Sequence, residues 1–153
     1  MRKPAETAPG EGLLIRPAYA LGRLHNELTG RLERELGTIG LSLRTHQVLA
    51  CVAEHRAHSQ QEVSETVEVD RSEMVRIIDR LEEAGLLMRE PDPADRRRHR
   101  LRLTATGHGA LRRGEEIVQS VTDEVLASLT VEDRRALHAL TVRALGGEGS
   151  RRS

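Results

Sequence analysis

The chain has 153 residues, a length that suits one domain built around a single helix-rich core. It has no Phe or Trp and only one tyrosine, Tyr19, so the core must consist of aliphatic side chains. Its 24 basic and 24 acidic residues cancel, which excludes a uniformly basic nucleic-acid binder but leaves a local basic stripe open.

The two ends and the cysteine content indicate where the protein works. The first residues, MRKPAETAPGEG, contain charges but no apolar stretch, so they do not resemble a secretory signal. No apolar run approaches the roughly 18 residues of a membrane span. A single cysteine, Cys51, excludes a disulfide within the chain and fits a reducing compartment. We therefore expect a soluble, cytoplasmic protein without membrane contact.

Apolar periodicity predicts a single domain over residues 13–145, between disordered tails at 1–12 and 146–153 that are rich in Gly and polar residues. A first, uninterrupted helix is predicted over 13–37, because leucines recur every three or four residues from Leu21 to Leu36. A second helix is predicted at about Thr45–His55. Its inward residues are Val48, Leu49 and Val52.

Two short helices with strong start signals follow. Ser59 and Glu62 have the spacing of a capping box, in which hydroxyl and carboxylate bind each other's backbone amides. Asp70 stands at the same spacing before Glu73 and is predicted to cap a longer helix that Gly85 ends. A short helix, a tight turn and a longer helix are typical of a helix-turn-helix.

The next segment predicts a hairpin and two final helices. LLMRE and HRLRL, at 86–90 and 99–103, are strand candidates, and prolines in the connector exclude a helix there. Helix returns after Thr104, and Thr130 caps the last one. The fold class is therefore mainly α with a small β-hairpin wing. The face of the first of these helices is marked by Leu111, Val118, Val121, Val125 and Leu129, and the last helix has Leu137, Leu140 and Leu145.

The longer helix of the helix-turn-helix divides into two faces at 100° per residue. Ser72 and Arg76 point away from the apolar side, where Arg76 would bind guanine O6 and N7 and Ser72 a base or a phosphate. Asp79 is expected to pair with Arg76 or Arg80. By itself this pattern also fits an ordinary amphipathic helix with a charged solvent face. The inward residues are Met74, Ile77, Ile78 and Leu81.

Positive charge is concentrated in the predicted hairpin. A surface strand rarely tolerates that many like charges without an anion, and arginine at a loop tip suits the narrow, negative minor groove of DNA. Asp95 beside them is expected to shape the tip. The cluster consists of Arg96, Arg97, Arg98, Arg100 and Arg102, with His99 among them.

The segment VDRSEMVRIIDRLEEAGLLMREPDPADRRRHRLRLTATG resembles the recognition helix and wing of the MarR (multiple antibiotic resistance regulator) family. Its most specific part is Asp-x-Arg in the wing, followed by Leu-Thr-x-x-Gly, and LSLRTHQVLACVAEH is similar to the family's second helix. The resemblance implies that Arg97 enters the minor groove while Asp95 braces the wing. It also implies that Ser72 and Arg76 read the major groove.

The remaining DNA-binding residues follow from the same resemblance. Ser59, Gln60 and Arg71 are expected to contact the DNA backbone, and Arg80 and Arg98 complete the predicted set. The winged helix-turn-helix would occupy 41–103.

The family is dimeric, which implies dimerisation helices at 13–37 and 104–145. The apolar faces of these helices exceed what one small winged domain can bury, which independently favours a homodimer. A two-fold dimer implies a pseudo-palindromic site in double-stranded DNA. The resemblance implies a repressor that a small molecule releases, although an activator would use the same DNA chemistry.

An effector pocket is expected where the dimerisation helices meet the DNA-binding lobe. The candidate residues are Arg16, Tyr19, His25 and His46, and an anionic or phenolic ligand is the default; ordinary packing and surface roles are the alternative for all four.

Other sensing chemistries have weaker signals. Cys51 lies mid-helix among apolar residues and is more typical of core than of a reactive thiol. Cys51 with His55, and Glu54 with His58, have helical spacing but do not complete a zinc site. No cofactor and no metal are predicted.

Two other function classes compete with the regulator. We find no phosphate-binding glycine loop, catalytic carboxylate pair or nucleophile motif, so an enzyme is not expected. A winged helix used for protein–protein contact is the second alternative, and the arginine-rich wing argues against it. Steep weakening of binding with salt would separate the two, because it reports phosphate contacts.

Overall fold

The computed structural model describes residues 11–54, 59–93, 95 and 99–146. It confirms the mainly α fold with one antiparallel hairpin. The described residues form, in chain order, α1 (Glu11–Leu14), α2 (Pro17–Gly37), α3 (Leu43–Glu54), α4 (Gln60–Val67), α5 (Arg71–Glu83), β1 (Leu87–Pro91), β2 (His99–Leu103), α6 (Ala105–Val125) and α7 (Val131–Ala144).

The first helix is interrupted near its start, so the expectation of one continuous helix over 13–37 is wrong. Between α1 and α2, Arg16 is extended, with φ −91° and ψ 121°. The ring of Pro17 pushes the preceding residue out of the helical region, and a proline without an N–H suits the first position of a new helix. The helical part also begins earlier than expected, since α1 starts at Glu11, inside the segment 1–12 assigned to a tail.

Helix α3 begins two residues before the predicted Thr45. The Ser42 N–H donates to Thr45 Oγ1 at 2.8 Å, and the Thr45 N–H donates to Ser42 Oγ at 3.1 Å. This is a capping box with threonine in place of the usual Glu or Gln, so the sequence pattern did not reveal it. The inward residues Val48, Leu49 and Val52 are buried as predicted.

Both helices of the helix-turn-helix begin where the capping signals predict. Ser59 and Glu62 form the capping box of α4. Asp70 caps α5 by accepting hydrogen bonds from the N–H groups of Ser72 and Glu73. Glu68 takes a left-handed conformation, with φ 55°, in the turn between the two helices. That turn is held by the Ser64 hydroxyl, which donates to the carbonyl of Val69 at 2.6 Å.

The hairpin is antiparallel, with Leu87 opposite Leu103 and Pro91 opposite His99. Leu87, Leu101 and Leu103 are buried, so one face of the hairpin packs against the helices. Strand β1 is displaced by one residue from the predicted 86–90, and Pro91 stands at its end, where a missing N–H is tolerated.

The start of α6 is fixed to the turn that follows α5. Thr104 caps α6, and its hydroxyl donates to the Gly85 carbonyl at 2.6 Å. Gly107 lies so close to Leu86 that a Cβ there would stand 1.9 Å from the Leu86 carbonyl oxygen. The Leu-Thr-x-x-Gly pattern therefore docks α6 on the helix-turn-helix, and only glycine fits at its last position.

Helix α6 ends at Val125, so the expectation that Leu129 continues its face is wrong. The chain turns at Leu126. Thr130 has an extended backbone, which lets it cap α7 in a capping box with Asp133. A continuous helix through this point would remove that cap. None of the residues of α7 is buried within the single chain.

One core connects the parts. The helix-turn-helix and hairpin pack through side chains such as Leu49, Met74 and Ile78, while Leu36 and Val121 join α2 to α6. No helix in the described ranges combines the length and the apolar character that a membrane crossing requires.

Candidate DNA-binding surface

Helix α5 presents one buried and one exposed face, as its sequence predicts. Met74, Ile77, Ile78 and Leu81 are buried against the core. The candidate DNA-binding residues of the helix are all exposed on the other side: Arg71, Ser72, Arg76 and Arg80. A helix with a rigid inner face and a polar outer face has the form that a major groove accepts.

The first turn of α5 determines which hydrogen bonds Ser72 can still make. Its hydroxyl donates to Asp70 Oδ1 at 2.6 Å, while the same oxygen accepts the N–H groups of Ser72 and Glu73 at 2.9 and 3.0 Å. These bonds, led by that of the Ser72 hydroxyl, lower the pKa of Asp70. Because its proton is already engaged, Ser72 offers only acceptor lone pairs to a ligand.

The two residues that precede this helix in the candidate set lie at the start of α4. The Ser59 hydroxyl is engaged with the Glu62 carboxylate at 3.1 Å, and Gln60 is half-buried as the first residue of the helix. Helix amino termini orient backbone N–H groups outward, which is the geometry that phosphate contacts use.

Asp79 pairs with a residue that the sequence did not indicate. Its Oδ1 accepts from the Arg89 guanidinium at 2.7 Å, so the expected pairing with Arg76 or Arg80 is wrong. The same guanidinium binds the Glu82 carboxylate, and the Arg89 N–H donates to Glu82 Oε1 at 3.1 Å. Arg89 lies on β1, directly after the turn that follows α5, and therefore reaches both carboxylates.

Arg89 is thus a residue of the site that sequence reasoning missed. The signal was present: two acidic residues three apart on α5, then a lone arginine on the strand that returns beside them. Its effect is to connect the hairpin to α5 and to neutralise two carboxylates on the candidate surface.

Part of the arginine cluster of the hairpin is paired within the chain. Arg100 binds Asp92 at 2.8 Å and Arg102 binds Glu90 at 3.3 Å. Asp95 is exposed and has partners of its own. The candidates Arg97 and Arg98, like Arg96, lie outside the described residues.

The four candidate effector residues do not meet within one chain. Arg16, Tyr19 and His25 are exposed at the amino-terminal end of the first helices, whereas His46 is buried on α3. His46 lies beside Leu36 near Gly114 of α6. At a rise of about 1.5 Å per residue, Tyr19 stands roughly 25 Å along α2 from Leu36.

His46 is packed so closely that a Cβ at Gly114 would lie 2.4 Å from its imidazole. The residue is 8% exposed, and Nε2 has no hydrogen-bond partner among the residues that the structure describes. Burial lowers the pKa of His46, partly offset by the charge of Glu115. The imidazole is therefore held neutral at the junction of α2, α3 and α6.

Cys51 is buried on α3, and burial raises the pKa of its thiol, against the effect of a hydrogen bond with Thr66. A thiol held protonated is a poor nucleophile, which disfavours oxidant sensing at this position. Across the described ranges no three His, Cys, Asp or Glu side chains are grouped to hold a metal ion. His55 and His58, which the zinc alternative needs, lie outside the described residues.

Comparison with known proteins shows which family has this architecture. Residues 41–99 match the model of the MarR family. The transcriptional repressor IacR of Pseudomonas putida is 30% identical over 74% of this chain and 68% of its own length. The chain belongs to the MarR family. A MarR-family protein is a DNA-binding transcription regulator and not an enzyme, which confirms the function class and the family predicted from the sequence.

A second relative of this MarR-family chain is the putative transcriptional regulatory protein for the hcr operon of Thauera aromatica. It is 34% identical over 69% of the chain, which spans 64% of that relative's length. The fold matches the repressor CouR bound to a 23-mer DNA duplex, with a TM-score of 0.80 and 26% identity over 89% of this chain and 96% of CouR.

A further MarR-like fold belongs to BpsR of Bordetella bronchiseptica, whose DNA binding is regulated by 6-hydroxynicotinic acid. The TM-score is 0.76, with 21% identity over 88% of this chain and 96% of BpsR. These matches confirm the winged-helix fold class.

Proposed function

We propose that the chain is a homodimeric repressor that binds a pseudo-palindromic operator and leaves it when a small molecule binds. The observation that carries this proposal is the exposed polar face of α5. The opposite, apolar face of the helix is buried in the core, and Arg89 connects the helix to the hairpin. In this reading residues 41–103 bind DNA, and residues 13–37 and 104–145 make the dimer.

Arg76 and Ser72 supply complementary hydrogen-bonding groups to the major groove. Arg76 is a donor suited to guanine O6 and N7. Ser72, whose proton is bonded to Asp70, acts as an acceptor for the amino group of cytosine or adenine. A phosphate offers no donor, so this polarity favours the base over the phosphate among the two roles expected for Ser72.

The remaining candidates bind the DNA backbone and the minor groove. Ser59, Gln60, Arg71 and Arg80 flank the reading face and would contact phosphates, which carry affinity but little sequence information. Arg97 and Arg98 would enter the minor groove with Asp95 bracing the wing, a role that rests on the resemblance of the wing motif.

The exposed apolar side chains support the homodimer. Outside the helix-turn-helix and hairpin they lie on the first and last helices or directly beside them, and an apolar surface of this kind marks an association site. Helix α7 buries no residue within the chain, so a second copy is needed to cover it. These side chains are Leu13, Leu14, Ile15, Tyr19, Leu21, Val131, Leu140 and Leu145.

Effector release is supported by relatives and by the position of His46. The BpsR ligand, a hydroxylated aromatic acid, belongs to the anionic and phenolic class proposed here. Because Arg16, Tyr19 and His25 lie far from His46 in one chain, the pocket requires the α2 of a second copy. Repression is supported by IacR and CouR, both named as repressors.

An equilibrium titration tests the proposal. The purified chain is titrated with DNA from upstream of its own gene and with a scrambled duplex, each at two salt concentrations. We expect preference for the upstream DNA and affinity that falls steeply with salt, by about a thousandfold or more between 50 and 200 mM if six or more phosphates are contacted. Equal or absent binding to both duplexes would contradict it and favour a protein-contact role.

A further inference from the structure

One apolar side chain interrupts the polar outer face of α5. Val75 is 38% exposed, although every other exposed residue of this helix is polar or charged. Within the described residues of 41–103, only Val75 and Met88 are large apolar side chains with this exposure. The others belong to the proposed dimer surface, so neither the core nor that surface accounts for Val75.

Val75 shares its face with the residues proposed to read DNA. It stands three residues after Ser72 and four before Asp79, the spacings at which helical side chains are neighbours. Arg76 follows it directly and is exposed as well. Since a β-branched side chain in a helix has essentially one χ1 rotamer, the position of the Val75 methyl groups is fixed by the backbone.

We propose that Val75 reads the 5-methyl group of a thymine in the major groove. This inference rests on the proposed DNA-binding function and names one further base that the operator should contain. Val75 has no donor or acceptor for a phosphate or a base edge, and the thymine methyl is the apolar group that the major groove presents. Contact between the two removes both from water, whereas a cytosine at that position leaves the valine against bare ring edge.

Ser72 strengthens the assignment. Its free lone pairs accept from an amino group, and the base paired with thymine is adenine, which presents its N6 amino group in the same groove. Neighbouring side chains that offer a methyl contact and an acceptor thus match two groups that a T·A pair presents in the major groove, and the methyl group is the one that G·C lacks. We therefore expect each half-site to contain a T·A pair near the guanine that Arg76 would bind.

The experiment uses the full chain and an operator selected by it from random duplexes. Each thymine of a half-site is replaced in turn by deoxyuridine, which removes only the methyl group. At one thymine per half-site we expect about a fourfold loss of affinity, the effect of leaving one methyl unburied. The variant Val75→Ala should bind the unmodified operator about as weakly and should not respond to deoxyuridine at that position.

Val75→Thr is the matched control, because it retains a methyl group at the same place and should still discriminate. Deoxyuridine effects that are identical in the wild type and in Val75→Ala at every thymine would overturn the inference while leaving the operator, and therefore the proposed function, intact. A selection that enriches no operator would overturn both.

Discussion

At the scale of single residues, the chemistry of the exposed face of α5 depends on hydrogen bonds that the helix cap has already made. Asp70 holds the Ser72 hydroxyl and two backbone N–H groups with one carboxylate oxygen. The lowered pKa of Asp70 keeps that carboxylate ionised to a more acidic pH than an ordinary aspartate, so the cap and the orientation of Ser72 persist throughout the neutral range. A capping residue therefore decides whether its neighbour donates or accepts.

Arg76 is the residue whose loss should alter sequence preference most. Arg76→Ala removes the side chain that we propose binds guanine bidentately, so we expect binding to the operator to weaken by about 1–3 kcal/mol and discrimination to relax at one base pair per half-site. Competition titrations with single-base operator variants measure both. Arg80→Ala is the matched control and should weaken binding evenly across sequences. An even loss in Arg76→Ala as well would make Arg76 a phosphate contact.

His46 should make the fold sensitive to mild acid. Its pKa in the folded chain is lowered by burial, so the unfolded chain binds the proton first as the pH falls below about 6.5. The stability due to a neutral His46 is therefore complete above that pH and declines as the pH falls through the folded pKa. His46→Leu should lose less stability between pH 7.5 and pH 5.5 than the wild type in thermal or urea unfolding.

The exposed His138 provides the control for this experiment. His138→Gln should retain the acid sensitivity of the wild type. If His46→Leu declines with pH as steeply as the wild type, the buried imidazole is not the group responsible.

At the scale of elements, two devices hold α5 in place. Arg89 binds Asp79 and Glu82 and so connects the helix to the hairpin. Thr104 and Gly107 fix the start of α6 to the turn after α5. Together they connect the helix, the hairpin and α6, so that the exposed face of α5 and the strands of the hairpin are held at a set spacing.

Removing Arg89 should test that connection. Arg89→Met leaves two carboxylates unpaired near the proposed DNA-binding surface, and we expect unfolding free energy to fall by about 1–2 kcal/mol and operator affinity to fall with it. Adding Asp79→Asn to Arg89→Met should restore part of the affinity, because it removes one repulsive charge. Urea unfolding and operator titration measure the two effects. Unchanged affinity in Arg89→Met would show that the hairpin is positioned without it.

Local signals predicted the elements well where the deciding chemistry is local. Asp70, Gly85 and Thr130 mark helix ends because caps involve residues only a few positions apart. The errors arose where one signal overrode another: Pro17 broke an otherwise periodic helix, and the cap at Thr130 ended the face that Leu129 extended. Tertiary partners such as Arg89 for Asp79 depend on how the chain returns, which periodicity does not encode.

At the scale of the whole molecule, burial decreases from the centre of the chain toward its ends. Along α2, Leu36 and Leu32 are buried, Leu28 and Leu24 are half-buried and Leu21 is exposed. The stripe that predicted one apolar face therefore continues past the point where the single chain can cover it. The sequence indicated how much apolar surface exists, but which part stays uncovered required the fold.

The dimer can be tested without disturbing the core. Leu21→Glu combined with Leu140→Glu places charges on side chains that are 58% and 53% exposed in the single chain. If these faces meet a second copy, the dimer dissociation constant should rise by more than about a hundredfold, since buried like charges cost several kcal/mol. Sedimentation measures it, with Gln47→Glu as control, at an exposed position of α3 outside the proposed dimerisation segments. A dimer of unchanged strength would contradict the assigned surface.

The site was predicted unevenly for a physical reason. The exposure of Ser72, Arg76 and Arg80 follows from helical periodicity, which the sequence displays directly. The distance between His46 and Arg16 does not, because it depends on how far α2 extends beyond the core. Two further features required coordinates. One is that the Ser72 hydroxyl donates to Asp70 and can therefore only accept from a ligand, and the other is the exposed fraction of Val75.

The most direct test of the central claim is guanine-N7 methylation interference on the selected operator. The account predicts one guanine in each half-site whose methylation blocks binding, the two separated by about one helical turn or a multiple of it. In Arg76→Ala this interference should disappear while residual binding remains. Binding that tolerates methylation at every guanine, or a single asymmetric blocked position, would contradict entry of α5 from two protomers into the major groove.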